Sequence, residues 1–187
     1  MTILPKVLLT VPHAAKDVND VNALPVARAL SSLLYSLNID TECLANLEDR
    51  CYVDGNRRES RNTKFRRDIV KRVRSGVDLL VDIHSFPITS VRFVSLDIVL
   101  LHTPGVQSKK FYRLYAALLN KAAVSIDTNV QIAIMYSERV NDICIEAVEN
   151  GQPKDSLMLV EHSEIGNAKV YALLHSIAID ELFRRWK

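Results

Sequence analysis

The sequence predicts an α/β fold: a three-layer α/β/α sandwich around a mixed, largely parallel sheet. Three observations predict it. Short apolar runs recur along the chain, and most are followed by a stretch with helical periodicity. Several runs stop abruptly on polar, chemistry-bearing residues, as strands do when their carboxyl ends face a ligand crevice. The 187 residues, 48% hydrophobic and 25% charged, suit a single domain over residues 1–187 with a substantial core.

Lys6 to Val11 reads as the first strand, ending at Pro12-His13-Ala14-Ala15. Asp17 to Asp20 is polar and loop-like. Leu24, Ala27, Leu30, Leu34 and Leu37 then fall on one helical stripe, and Pro25 suits its first turn, where a missing N–H costs nothing. Asp20 therefore lies at or just before a helix N-terminus. Thr41 to Leu44 is a second strand, and Arg50 to Arg57 is a polar loop. From Glu59 a helix is expected, with Phe65, Ile69, Val70 and Val73 as its apolar face and Gly76 as its stop. Leu79 to Phe86 is the strongest strand. Leu96 to Leu101 is another apolar run, ending in His102. Phe111, Leu114, Tyr115, Leu118 and Leu119 form a second clear helical stripe. A strand at Val130–Met135, a helix at Glu138–Glu149 and a strand at Leu157–Val160 follow. A C-terminal helix carries Val170, Leu173, Leu174, Ile177, Leu182, Phe183 and Trp186.

Asp82 and His84 are two apart, so on a strand they share a face. A carboxylate beside an imidazole is the arrangement that orients a metal-binding histidine; a structural, hydrogen-bonded histidine is the plainer alternative. Three core strands end in a metal- or proton-competent residue: His13, His84 and Glu161. Hydrolytic zinc takes three protein ligands from histidine and carboxylate and keeps a position open. His13 and His84 can supply two and an aspartate the third, with Glu161 nearby as a base. Arg50 and Arg57, on one short loop, are available for a developing oxyanion and for a substrate carboxylate.

The net charge of +2 gives no strong pull toward nucleic acid or an anionic membrane. The helix after Arg57 is rich in arginine and lysine (Arg58, Arg61, Lys64, Arg66, Arg67, Lys71, Arg72, Arg74). No aromatic residues interleave for base stacking, so a solvated helix face is the expectation and a nucleic-acid patch the alternative. Cys43, Cys51 and Cys144 are an odd set without metal-knuckle spacing, which points to free thiols in a reducing, cytoplasmic setting. The first residues are too short and interrupted for a signal peptide, and no apolar run approaches the ~18 residues of a membrane span.

Pro12-His13-Ala14-Ala15, Asp20-Val21-Asn22-Ala23, Arg50 with Asp54-Gly55-Asn56-Arg57, Asp82-Ile83-His84-Ser85-Phe86 and Val160-Glu161 occur in this order. In that order they resemble the N-formylglutamate amidohydrolases, zinc enzymes similar to zinc carboxypeptidases and aspartoacylase. The resemblance spans roughly residues 7 to 165. It implies a zinc-carboxypeptidase-like fold and one Zn2+ held by His13, His84 and Asp20, with Asp17 as a rival carboxylate. It implies Arg50 facing the scissile carbonyl oxygen, Asn56 and Arg57 holding a substrate carboxylate, and Glu161 as general base and then acid.

The implied activity is cleavage of a linear amide bond in a small N-acyl amino acid or short peptide with a free carboxylate. The alternative is a non-catalytic binding or regulatory protein that keeps the fold. Two departures bear on it. Asn141-Asp142-Ile143-Cys144-Ile145-Glu146 stands where the family has a glycine-rich loop, and His162-Ser163-Glu164 replaces its Asn-Arg after the glutamate. Plainer roles remain open for single residues: a salt bridge for Glu161, an ion pair with Glu59 or Asp54 for Arg57, pocket-lining or structural roles for His102 and His162, and a core thiol for Cys51.

Overall fold

The apolar runs become strands where the sequence places them. The computed structural model describes residues 4–15, 20–48, 54–87, 95–137 and 141–186. Its strands are β1 (Lys6–Val11), β2 (Asp40–Ala45), β3 (Leu79–Phe86), β4 (Ile98–His102), β5 (Ile132–Tyr136) and β6 (Leu157–Ser163). Its helices are α1 (Ala23–Ser36), α2 (Lys64–Arg74), α3 (Lys109–Ser125), α4 (Asp142–Glu149) and α5 (Ala168–Trp186).

The sheet order is β2-β1-β3-β6-β4-β5. β1, β2, β3 and β6 run one way, and β4 and β5 run the other, meeting β6 antiparallel. The carboxyl ends of β1, β3 and β6 therefore share one edge of the sheet. His102, at the carboxyl end of β4, lies toward the opposite edge, away from His84 and Glu161. Its Nε2–H donates to Gln107 O at 3.1 Å, and its ring packs edge-on against Tyr112 and Tyr136.

Alternation along the strands divides the core in two. Val7, Leu9, Val11, Leu79, Val81, Ile83, Met158 and Val160 face α1, α3 and α5. Leu8, Leu80, Val99, Leu101, Leu157 and Leu159 face α2 and α4. This is the three-layer sandwich. β3, the longest strand, is central, covered on both faces and buried throughout.

Two helices start later than their periodicity suggests, because a side chain caps each one. Residues Arg58–Asn62 make a 3-10 turn, and α2 begins only after Thr63, whose side chain accepts from Arg66 N. α4 begins after Asn141, whose side chain accepts from Cys144 N; Glu138, at the start of the expected helix, lies outside the described residues. Gly76, at φ +91°, stops α2 in a backbone region that disfavours a side chain. The solvated-face expectation for α2 needs one correction. Arg66 is fully buried, on the stripe of Ile69 and Val73. Cys43 and Cys144 carry free thiols; Cys51 lies outside the described residues.

On the α5 side a buried polar chain runs inward from α3. Tyr115 O–H donates to His175 Nδ1 at 2.8 Å, His175 Nε2–H to His162 Nε2 at 2.9 Å, and His162 Nδ1–H to the His84 carbonyl at 3.3 Å. One set of neutral tautomers satisfies every link. Burial pushes His162 down to about 4 and His175 well below its ordinary value, with the charge of His84 adding to the shift at His162. Both ring nitrogens of His162 are thus taken up inside the protein.

Both histidines stay neutral in the fold while the unfolded chain takes protons below its ordinary value of 6.5. Their contribution to stability is therefore present above that pH and is lost as the pH drops from 6.5 toward 4, with His162 alone costing about 3 kcal/mol at the end of that window. Thermal melts at pH 7 and pH 5 check this: the wild type should melt lower at pH 5, and His175→Gln should narrow the gap. Equal melting temperatures for the wild type at both pH values would contradict it.

Candidate metal centre

On β3 the even positions face α2 and α4, so Asp82 and His84 point there together. In parallel register His84 lies opposite Glu161 of β6, whose odd positions share that face. Asp82 is fully buried and well supplied with donors. Thr10 Oγ1–H, from β1, donates to Oδ1 at 2.5 Å; Asn141 Nδ2–H donates to Oδ2 at 2.7 Å; His84 Nε2 is 3.0 Å from Oδ2. Asn141 does this while capping α4 with its Oδ1, and the cap sets which way the amide faces.

His13 follows the end of β1. The turn that carries it is held by Asn46 at the end of β2: Asn46 N donates to Val11 O, Asn46 Nδ2 to Pro12 O, and Ala14 N to Asn46 O, all within 2.9–3.1 Å. Gly55 packs beneath this turn, where an added Cβ would lie 2.8 Å from Pro12 O. The His13 ring sits between two carboxylates, with Nδ1 at 2.7 Å from Asp20 Oδ2 and Nε2 at 2.7 Å from Asp54 Oδ1. Asp20 is anchored by Ser85 N–H, which donates to its Oδ1 at 2.6 Å. Asn22, two residues on, donates to Ser163 O and Gly166 O and fastens this loop to the end of β6.

The charges agree with the geometry. Burial alone would raise the Asp82 carboxyl, but the charge and hydrogen bond of His84, with Thr10 and Asn141, hold it below its ordinary value. Asp20 behaves likewise: burial is outweighed by His13, His84 and the Ser85 N–H. Burial would lower His84, but Asp82, Glu161 and Asp20 raise it to about 10. The cluster is electronegative enough to hold a cation, and in the metal-free protein His84 supplies one as imidazolium.

His13, Asp20 and His84 are brought together. Each offers a ligand atom, the three atoms lie within 4.8 Å of one another, and the group is buried. The two rings are 5.2 Å apart, edge to face. Glu161 is half-buried beside them. Asn56 and Arg57 lie on the turn after Asp54. Asn56 N donates to Asp54 Oδ1 at 3.0 Å, and the exposed Arg57 donates from Nε to Asp54 Oδ2 at 3.2 Å, the ion pair that was the plainer expectation for it. Among the described residues Asn56 Oδ1 is buried without a partner. Arg50 and Asp17 lie outside the described residues.

Sequence reasoning missed Asp54, Thr10 and Asn141, which hold the two histidines and their carboxylate partner. Asp54 opens one of the segments that carry the resemblance, and Asn141 is a residue type that caps helices, yet neither was assigned to a histidine or its partner.

No family model matches this sequence, and no curated protein does. Solved structures do. A gene product of Agrobacterium tumefaciens is 18% identical with a TM-score of 0.64, over 97% of this chain and 92% of that one. The N-acetylmuramoyl-L-alanine amidase AmiC2 of Nostoc punctiforme is 13% identical with a TM-score of 0.55, over 97% of both chains. A candidate metallopeptidase from Shewanella denitrificans is 9% identical with a TM-score of 0.57, over 99% of this chain and 75% of that one. At these identities the likeness is one of fold.

If the centre takes a metal, Asp82 acts by holding the His84 ring. Asp82→Asn keeps the shape of the site and removes that anchor, so metal affinity should fall roughly 10–100-fold. Isothermal titration of the metal-free protein with zinc checks this; unchanged affinity in the variant would remove Asp82 from the centre.

Proposed function

We propose that this chain is a zinc-dependent amidohydrolase acting on a linear amide bond of a small N-acyl amino acid or short peptide with a free carboxylate. The observation that carries the reading is the buried group of His13, Asp20 and His84 at adjacent strand ends, with each imidazole backed by a further carboxylate. The donor set fits zinc. Two imidazoles and one carboxylate are a ligand set of hydrolytic zinc sites, and zinc-ligating histidines give their other ring nitrogen to a carboxylate or carbonyl. The resemblance to N-formylglutamate amidohydrolases adds to this, as do amidase and metallopeptidase descriptions among proteins of the same fold.

His13, Asp20 and His84 would hold the ion, with His84 ligating through Nδ1, since Asp82 occupies Nε2. Zinc bound there would supply Lewis acidity and a water acidified to a pKa of about 7. The chain's own residues do the rest. Asp54 and Asp82 fix the two rings. Glu161, beside His84, takes the proton of the attacking water on its carboxylate and delivers it to the leaving nitrogen. Arg50 meets the negative charge that develops on the carbonyl oxygen. Asn56 and Arg57 hold the substrate carboxylate. Asp54 engages Arg57 through Nε, and the terminal nitrogens are the pair that would take the two carboxylate oxygens.

The test is turnover of a panel of N-acyl amino acids by zinc-loaded protein, wild type beside Glu161→Gln and Arg57→Met. Glu161→Gln should keep its zinc and lose turnover by about 100-fold or more. Arg57→Met should act mainly on KM, because the charge it meets is already present in the ground state. Zinc binding without turnover of any member of the panel would favour the non-catalytic reading. Undiminished turnover by Glu161→Gln would remove that residue from the chemistry.

A further inference from the structure

Arg66 is the largest fully buried side chain among the described residues, and it is charged. It is tied to Glu146 of α4, with Nε at 2.7 Å and Nη2 at 2.6 Å from Oε2. Its other N–H groups reach three backbone carbonyls. Nη1 donates to Gly55 O at 3.1 Å and Arg57 O at 3.3 Å, and Nη2 donates to Asp142 O at 2.9 Å. Buried ion pairs often stabilise a fold no more than apolar residues of the same volume would. Stability alone is therefore a poor reason for this one, and its acceptors suggest another.

The three carbonyls belong to the two segments that hold the partners of the candidate ligands. Gly55 and Arg57 flank Asn56 in the turn opened by Asp54, whose carboxylate meets His13 Nε2. Asp142 follows Asn141, whose amide donates to Asp82, the partner of His84. One planar guanidinium thus spans from the Asp54 turn to the α4 cap, two segments more than 80 residues apart in sequence.

We propose that the Arg66–Glu146 pair is a positioning element that sets the metal affinity of the centre, by fixing Asp54 against His13 and Asn141 against Asp82 at the same time. The inference rests on the metal reading above. Arg66 touches no ligand; it acts through two backbone segments and the carboxylates they place. Lysine does not replace it, because an ammonium cannot present the planar fork that meets Glu146 and three carbonyls together.

The test is competition for zinc between a chromophoric chelator and the full-length protein, with the melting temperature of each metal-free variant measured in parallel. Arg66→Lys and Glu146→Gln should each bind zinc about tenfold or more weakly than wild type, the scale for losing support around a metal ligand. The double variant should be no weaker than the worse single one, because the two residues serve one network. Leu119→Ala, a core truncation on the far side of the sheet, should lower the melting temperature and leave zinc affinity unchanged. If Arg66→Lys does not fold, Glu146→Gln, which keeps the shape of the pair, decides the question. Wild-type affinity in the folded variants, or a loss no larger than that of Leu119→Ala, would overturn the proposal and leave Arg66 a folding residue. A wild type that binds no zinc would remove the metal reading itself, and this proposal with it.

Discussion

The arrangement depends on burying the Asp82 carboxylate at the centre of the sheet. An isolated carboxylate there would be too costly to keep charged. It is tolerated because Thr10, Asn141 and His84 each bring a hydrogen to it. Those three residues come from β1, the α4 cap and β3, so the requirement to satisfy one buried charge constrains three separate parts of the chain. Once it is met, the His84 ring is fixed and Glu161 stands across from it in register. His13 repeats the design at the neighbouring strand, with Asp54 in the role of Asp82 and with Asp20 beside it.

The two faces of the sheet divide the labour. The face toward α1, α3 and α5 is the larger apolar core, and the polar chain Tyr115–His175–His162 set into it is neutral and hydrogen-bonded link by link. The face toward α2 and α4 holds a smaller apolar cluster and the charged groups: Asp82, His84, Glu161, Arg66 and Glu146. Burying charge on that side lowers the net return from folding, and the broad apolar face opposite offsets it.

The strands were legible because buried strands read as continuous apolar runs, and strand parity alone put Asp82 and His84 on one face. Strand direction was not legible. The Leu96–Leu101 run also leads to a histidine, yet β4 runs against β6, and His102 faces the wrong edge for the site. Hydrophobicity carries no arrow; only the pairing partner does. The partner of His13 was hidden for a different reason. Asp54 is 41 residues away, and although it opens the segment that runs to Arg57, nothing in that segment pairs it with His13. Arg66 was hidden by its neighbours, since a run of basic residues reads as a solvated surface. Its spacing from Ile69 and Val73, three and seven residues, placed it on the buried stripe and was the signal available.

The central claim is that His13, Asp20 and His84 form one metal centre. The most direct measurement is anomalous diffraction from crystals of the zinc-soaked protein, recorded on both sides of the zinc absorption edge. The account predicts a single strong anomalous peak per chain, about 2.0–2.2 Å from Nδ1 of His84, from an Asp20 oxygen and from a His13 nitrogen, with Asp82 holding Nε2 of His84. No peak among these three residues, or a peak bound directly by Asp82 in place of Asp20, would contradict it.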